Sequence, residues 1–161
     1  MKRVGSYVGY LDISPRQTGK TERLIRFAEL YLGTRKKVCF NTLAGMKAEI
    51  QARLPGALVL ADGEIFPESE DPDEYYWFYD EFDWLESATY RSSSFYATTP
   101  RFMREMGKHT PDNDLLLRLV QLAGKFERHY WPFDMGTTLL EARQFHTPEE
   151  FRLFYLGEFL S

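Results

Sequence analysis

Eight residues, Ser14-Pro15-Arg16-Gln17-Thr18-Gly19-Lys20-Thr21, constrain this chain more than any other stretch. They join a strand-like run to a helix-like one. Before them, Val4 to Ile13 carries Tyr7, Val8, Tyr10, Leu11 and Ile13, mostly β-forming side chains. After them, from Lys20 to Leu32, the apolar residues Leu24, Ile25, Ala28, Tyr31 and Leu32 share one helical stripe, with Glu22, Arg23, Arg26 and Glu29 on the other side. A turn in that setting has a specific chemical use. Gly19 lets the backbone pass close to a phosphate. The N–H groups of the turn and the start of the helix point at the anion. Lys20 reaches the outer phosphates, and the Thr21 hydroxyl can bind Mg²⁺. The candidate binding set is therefore Pro15, Arg16, Gln17, Thr18, Gly19, Lys20 and Thr21. The usual pattern for such a loop is G-x-x-x-x-G-K-[ST]; here Ser14 stands in the first glycine's place.

The rest of the chain alternates. Val38 to Leu43 reads as a second strand, and Met46, Ile50 and Leu54 as a helix stopped by Pro55-Gly56. Ala57 to Ala61 is a third strand, Tyr75 to Tyr79 a fourth and Ser94 to Thr99 a fifth. Gly33 stands where a helix C-cap is expected. Between Asp62 and Glu74 lies an acidic loop with two prolines, whose order the sequence leaves open. A helical stripe runs from Asp112 to Tyr130 through Leu115, Leu119, Leu122, Ala123, Phe126 and Tyr130. Thr147-Pro148-Glu149-Glu150 is a capping box that opens a last helix. Strands alternating with helices predict an α/β domain with a mostly parallel sheet and C-terminal helices. The expected organisation is one domain over 1–161, with a core at 4–101 and a helical part at 112–161.

Composition narrows the function. The chain has 161 residues, 43% hydrophobic and 27% charged, enough for a buried core and too structured for disorder. No apolar run approaches the roughly 18–20 residues of a membrane span. The N-terminal run lacks a signal-peptide cleavage site, so a cytoplasmic protein is expected. Charge is uneven. Residues 1–53 carry 11 Lys/Arg against 4 Asp/Glu, residues 54–90 carry 11 acids and no base, and residues 91–161 carry 9 of each. The first third can face phosphates; the net charge of −4 excludes a general nucleic-acid coat. Arg35-Lys36-Lys37 reads as a solvated turn. Cys39 reads as a buried, inert thiol. His109, His129 and His146 show no ligand-like spacing.

Two further segments carry chemistry. Tyr75 to Tyr79 ends in Asp80-Glu81, and in a parallel sheet the carboxyl ends of strands meet at the ligand crevice. Asp80 there would hold Mg²⁺ beside Thr21, and Glu81 would polarise an attacking water. Asp83 is a lesser candidate in the same turn. Trp77, Phe78, Phe82 and Trp84 are read as core. Phe95 to Arg101 ends in Thr98, Thr99, Pro100 and Arg101; Thr98 or Thr99 would sense a terminal phosphate, and Arg101 would reach it or a partner's nucleotide.

Together, Arg16-Gln17-Thr18-Gly19-Lys20-Thr21, Tyr79-Asp80-Glu81 and Ala97-Thr98-Thr99-Pro100 resemble the motifs of P-loop NTPases of the RecA-like class. Within it they are similar to the ATPase domains of phage terminase large subunits and superfamily 2 helicases. The resemblance covers roughly residues 4–101. It implies a three-layer RecA-like fold and ATP bound through Lys20 and Thr21. It further implies Mg²⁺ held by Thr21 and Asp80, catalysis by Glu81, and Arg16 acting as an arginine in cis. It also implies a DNA-handling partner and a phage source with the host cytoplasm as its compartment, while a trans arginine would come from another subunit of a homo-oligomer or be dispensed with. Two other classes stay open: a non-enzymatic nucleotide switch that binds a partner, and a small P-loop kinase with Arg101, Arg104 and Lys108 as a thin lid.

Overall fold

The computed structural model describes residues 7–131 and 134–161. Five strands form the sheet: β1 (Tyr10–Ile13), β2 (Lys37–Thr42), β3 (Leu58–Ala61), β4 (Tyr75–Asp80) and β5 (Phe95–Thr98). Their order is β1-β5-β4-β2-β3, and every pairing is parallel. The expected α/β architecture with a parallel sheet is what the chain adopts. The helices are α1 (Lys20–Gly33), α2 (Lys47–Arg53), α3 (Leu115–Ala123), α4 (Gly136–Phe145) and α5 (Pro148–Phe151), the last continuing into a π-helical turn at Arg152–Leu156. Among the described residues, no helix is long and apolar enough to cross a membrane.

The strands sort their side chains by alternation, as a pleat requires. Val38, Phe40, Phe78, Phe95 and Ala97 face one way and pack on Leu24, Ile25 and Ala28 of α1 and Ile50 of α2. Cys39, Trp77, Tyr79 and Tyr96 face the other way and pack, with Leu11 and Ile13, on Leu116 and Leu119 of α3. The sheet is thus covered on both faces, which explains why its strands read as near-continuous apolar runs. Aromatic rings stack between neighbouring strands, Tyr79 on Tyr96 with centroids 5.0 Å apart and Phe78 on Phe95 at 4.6 Å. Cys39 is buried as expected, and burial pushes its thiol up to about 12.

Several boundaries differ from the sequence reading. The first strand is only Tyr10–Ile13; residues 7–9 are irregular, and the expected start at Val4 to Ser6 lies outside the described residues. Gly33 is the last residue of α1 rather than its cap, and the left-handed residue is Arg35, φ 60°. The stripe read from Asp112 to Tyr130 yields a shorter helix. Asp114 caps it by accepting from the Leu117 N–H, and Gly124 ends it at φ 72°. The chain then runs extended beside β1: the Glu127 N–H donates to Leu11 O at 2.8 Å and the Ile13 N–H to Glu127 O at 3.0 Å. Helix α4 was not foreseen. The capping box at Thr147 is present with both its hydrogen bonds.

Part of the uneven charge is met by ion pairs at the surface. Lys37 pairs with Glu70 and Glu74, and Lys47 with Glu64. Asp62 accepts from the Ser87 N–H at 2.9 Å, and Phe66 packs against Tyr75 and Trp77. The acidic 62–74 segment is therefore tied to β2 by Lys37 and to α2 by Lys47. Lys37 is an ion-pair partner, not part of a purely solvated turn.

Candidate functional site

The parallel sheet sends β1, β4 and β5 to a common edge, where their carboxyl ends deliver the 14–21 loop, Asp80-Glu81 and Thr98-Thr99. Strand β5 lies between the other two. A cavity of about 390 Å³ opens there, lined by Arg16, Gln17, Lys20, Glu81 and Thr99 from the expected set, and by Leu43 and Trp84. Gln17 and Gly19 both take left-handed conformations, φ 57° and 83°, which fold the loop over the start of α1. Gly19 caps α1 without a side-chain acceptor. The first-turn N–H groups of the helix are thus left for solvent or an anion.

Lys20 is buried and bent back into the loop. Its Nζ donates to Pro15 O at 3.0 Å and lies 3.5 Å from Glu81. The Thr18 hydroxyl donates to the same Pro15 carbonyl at 2.9 Å. The Thr21 hydroxyl donates to Asp80 Oδ1 at 3.0 Å, and the Thr42 hydroxyl to Oδ2 at 3.3 Å. Asp80 is pushed up to about 7, first by burial and then by the neighbouring Glu81 charge, against the lowering effect of Thr21, Lys20 and Thr42. Burial also raises Glu81, with Lys20 opposing it. Glu81 sits at φ 54°, a conformation costing on the order of 1 kcal/mol or more for a non-glycine residue. That turn takes it out of the strand line and into the cavity. The Thr99 N–H donates to its carboxylate at 3.2 Å. Two carboxylates and two hydroxyls thus gather hard oxygen atoms, the donor type that suits a hard divalent cation, with Lys20 and Arg16 as the positive charges acting on Glu81.

Other expected residues are placed differently. Thr98 is fully buried; its hydroxyl accepts from the Asp83 N–H and donates to Thr99 O, so it does not line the cavity. Thr99 lines the cavity, but its hydroxyl donates to Ser14 O at 3.0 Å. Arg101 is exposed outside the lining, with its guanidinium 5.8 Å from the Trp84 ring. Asp83 is turned away and held by the buried Arg104. Trp84, read as core, is a cavity wall whose indole N–H donates to Thr99 O at 2.9 Å. Arg16 lines the cavity, but its guanidinium lies 4.0 Å from the Phe154 ring, its N–H donates to Phe154 O, and its carbonyl accepts from Trp131 Nε1.

The sequence reading missed a second cluster under the loop. Asp12 is fully buried, and Arg23, the Ser14 hydroxyl and the Tyr10 hydroxyl all meet its carboxylate. His129 and Glu127 complete it from the extended segment beside β1, 2.8 Å apart. His129 is therefore not an isolated histidine: ligand atoms of Asp12, Glu127 and His129 lie within 4.8 Å of one another. The Arg23 guanidinium and Tyr10 hydroxyl already occupy the Asp12 oxygen that a metal would need. A charged residue inside an otherwise apolar strand was the signal available, since a buried charge requires partners. Comparison with known proteins adds no identification: the chain matches no family model, no curated protein and no solved structure.

Proposed function

We propose that this chain is an Mg²⁺-dependent ATP-binding protein of the RecA-like P-loop class and an ATPase that works with DNA or a DNA-handling complex. The observation that carries the reading is the meeting of two pairs at one sheet edge: Thr21 with Asp80 at 3.0 Å, and Lys20 with Glu81 at 3.5 Å. Residues that are 59 and 61 positions apart in sequence come together in the combination that phosphoryl chemistry uses. On this reading Thr21 and Asp80 hold the cation, and Lys20 exchanges its contact with Pro15 O for phosphate oxygens. Mg²⁺, when bound, neutralises charge on the outer phosphates. Glu81 orients water and accepts its proton, held in place by the Thr99 N–H. The raised Asp80 and Glu81 fit this assignment, because burial strips both carboxylates of water and a bound cation would favour their charged forms.

Arg16 has a lesser part in this reading than the motif resemblance implies. Its stacking on Phe154 and its two backbone bonds make it an anchor for the loop. Those same contacts favour a second reading, a nucleotide switch, because the C-terminal segment touches the loop directly and would register its rearrangement.

Steady-state ATP hydrolysis with Mg²⁺, with and without DNA, tests the proposal on wild type beside Glu81→Gln. The expected result is turnover by wild type and a loss of about 10²–10⁴-fold in Glu81→Gln with ATP binding retained. Wild type that binds ATP without turnover moves the case to the switch. Wild type that binds ATP no better than Lys20→Ala removes the nucleotide reading.

A further inference from the structure

We propose that Asp12 and Arg23 are a positioning pair that aims the backbone of the 14–21 loop, an inference that rests on the nucleotide reading of that loop. Asp12 lies two residues before the loop and is fully buried. A carboxylate in that place is costly unless donors surround it. Arg23, in the first turn of α1, donates one hydrogen bond, from Nε to Oδ2 at 2.9 Å, and its Nη2 lies 2.8 Å from the same oxygen as an ion-pair contact without hydrogen-bond geometry. Its remaining nitrogen, Nη1, donates to the Thr18 carbonyl at 2.6 Å. One planar guanidinium thus ties the sheet core to the middle of the loop.

The consequence follows from peptide geometry. In a planar trans peptide the carbonyl of one residue and the N–H of the next point in opposite directions. Holding the Thr18 carbonyl on Arg23 turns the Gly19 N–H to the far side of that peptide. Gly19 is suited to this twice over. It adopts φ 83°, and a Cβ on it would lie 3.1 Å from Arg23 Nη1. Ser14 belongs to the same device. Its hydroxyl donates to Asp12 and accepts from the His129 N–H at 2.9 Å. The serine that replaces the first glycine of the usual pattern is therefore a partner of the buried carboxylate. Neither Asp12 nor Arg23 lines the cavity; they act through the loop backbone.

The test is Mg²⁺·ATP affinity by calorimetry, with the Gly19 amide resonance followed in the nucleotide-free protein. Arg23→Gln removes the charge and the fork. Arg23→Lys keeps the charge but cannot reach Asp12 and Thr18 O together. Both are expected to weaken binding roughly tenfold or more and to move the Gly19 amide. Adding Asp12→Asn to Arg23→Gln is expected to cost no further affinity, since both break the same chain of contacts. A merely structural role predicts a lower unfolding midpoint with affinity and the Gly19 amide unchanged, which would overturn the proposal. Wild-type binding that Lys20→Ala abolishes and Arg23→Gln leaves intact overturns the positioning role alone. Wild type that binds no Mg²⁺·ATP overturns the nucleotide reading, and this proposal with it.

Discussion

Asp80 and Asp83 stand three residues apart at the end of β4, yet the fold treats them in opposite ways. Asp83 receives Arg104 through both carboxylate oxygens, at 2.6 and 2.9 Å, and the Arg101 N–H at 2.8 Å. Arg104 in turn reaches Asp114, the cap of α3, at 3.1 Å and lies 3.8 Å from the Phe102 ring. Its side chain is 1% exposed. Asp80 is as deeply buried and receives only two hydroxyls, with Glu81 adding a second negative group beside it. One acid is satisfied by the protein. The other has no cation of its own: it lies behind the cavity that Glu81 and Lys20 line, with Lys20 shared among Pro15 O and Glu81. Burial alone does not mark a functional carboxylate. What separates these two is the set of donors around each, a buried guanidinium for Asp83 and two hydroxyls for Asp80.

Breaking the satisfied side is expected to have the largest effect on stability. Arg104→Met would leave Asp83 and Asp114 buried without their cation and loosen the cap of α3. Loss of one partner of such a pair costs about 3–5 kcal/mol, read by urea denaturation at neutral pH. A change under about 1 kcal/mol would show that Arg104 is not the tie between the β4 end and α3.

Relieving the unsatisfied side should act in the other direction. Asp80 keeps its proton in the folded protein up to about pH 7, while in the unfolded chain it ionises near 3.8. Between those values the unfolded state releases a proton that the folded state retains, so stability falls as pH rises through the window. Asp80→Asn removes that slope. With divalent cations chelated, the variant is expected to unfold at a higher temperature than wild type at pH 8, by about 2–4 °C for each kcal/mol relieved. The gap should close towards pH 4. Adding Mg²⁺ at pH 8 should raise the wild-type midpoint and leave Asp80→Asn where it is. A gap that is constant from pH 4 to 8 would mean Asp80 is already compensated, and the contrast with Asp83 would fail.

How legible these two environments were differs for a physical reason. Glycine, lysine and threonine at 19–21, and the acids after an aromatic run, are local patterns, and a parallel sheet brings the ends of its strands together whatever the details. So the meeting of Lys20 and Thr21 with Asp80 and Glu81 is readable from local patterns. Ion pairs between distant loops are not local. Nothing around Arg104 in sequence says that it meets Asp83 and Asp114, and the sequence offers it only as part of the thin lid of the kinase alternative. The stripe from Leu115 to Tyr130 kept helical spacing past Gly124, because Phe126 also reaches the core, packing on Phe159. A single left-handed glycine overrode the periodicity. The Asp12 cluster was hidden in the same way, since Glu127 and His129 join it only once that helix has ended.

The finest test of the contrast is at Thr42, the hydroxyl that reaches Asp80 Oδ2 from β2 at 3.3 Å. It is fully buried, and it lowers Asp80 by donating to the charged form. Thr42→Val keeps a similar shape and deletes that donor. Below the titration of Asp80 the carboxyl is neutral and loses little. Above it, the buried charge is left with one hydroxyl fewer. The expected cost is therefore small, about 0.5–1.5 kcal/mol, and confined to the alkaline side. Unfolding midpoints of wild type and Thr42→Val, compared at pH 5 and pH 8 without divalent cations, measure it. Divergence at pH 8 alone supports Asp80 as a carboxylate short of donors. Equal loss at both pH values would assign Thr42 to packing, and the raised Asp80 would then have to rest on burial and Glu81.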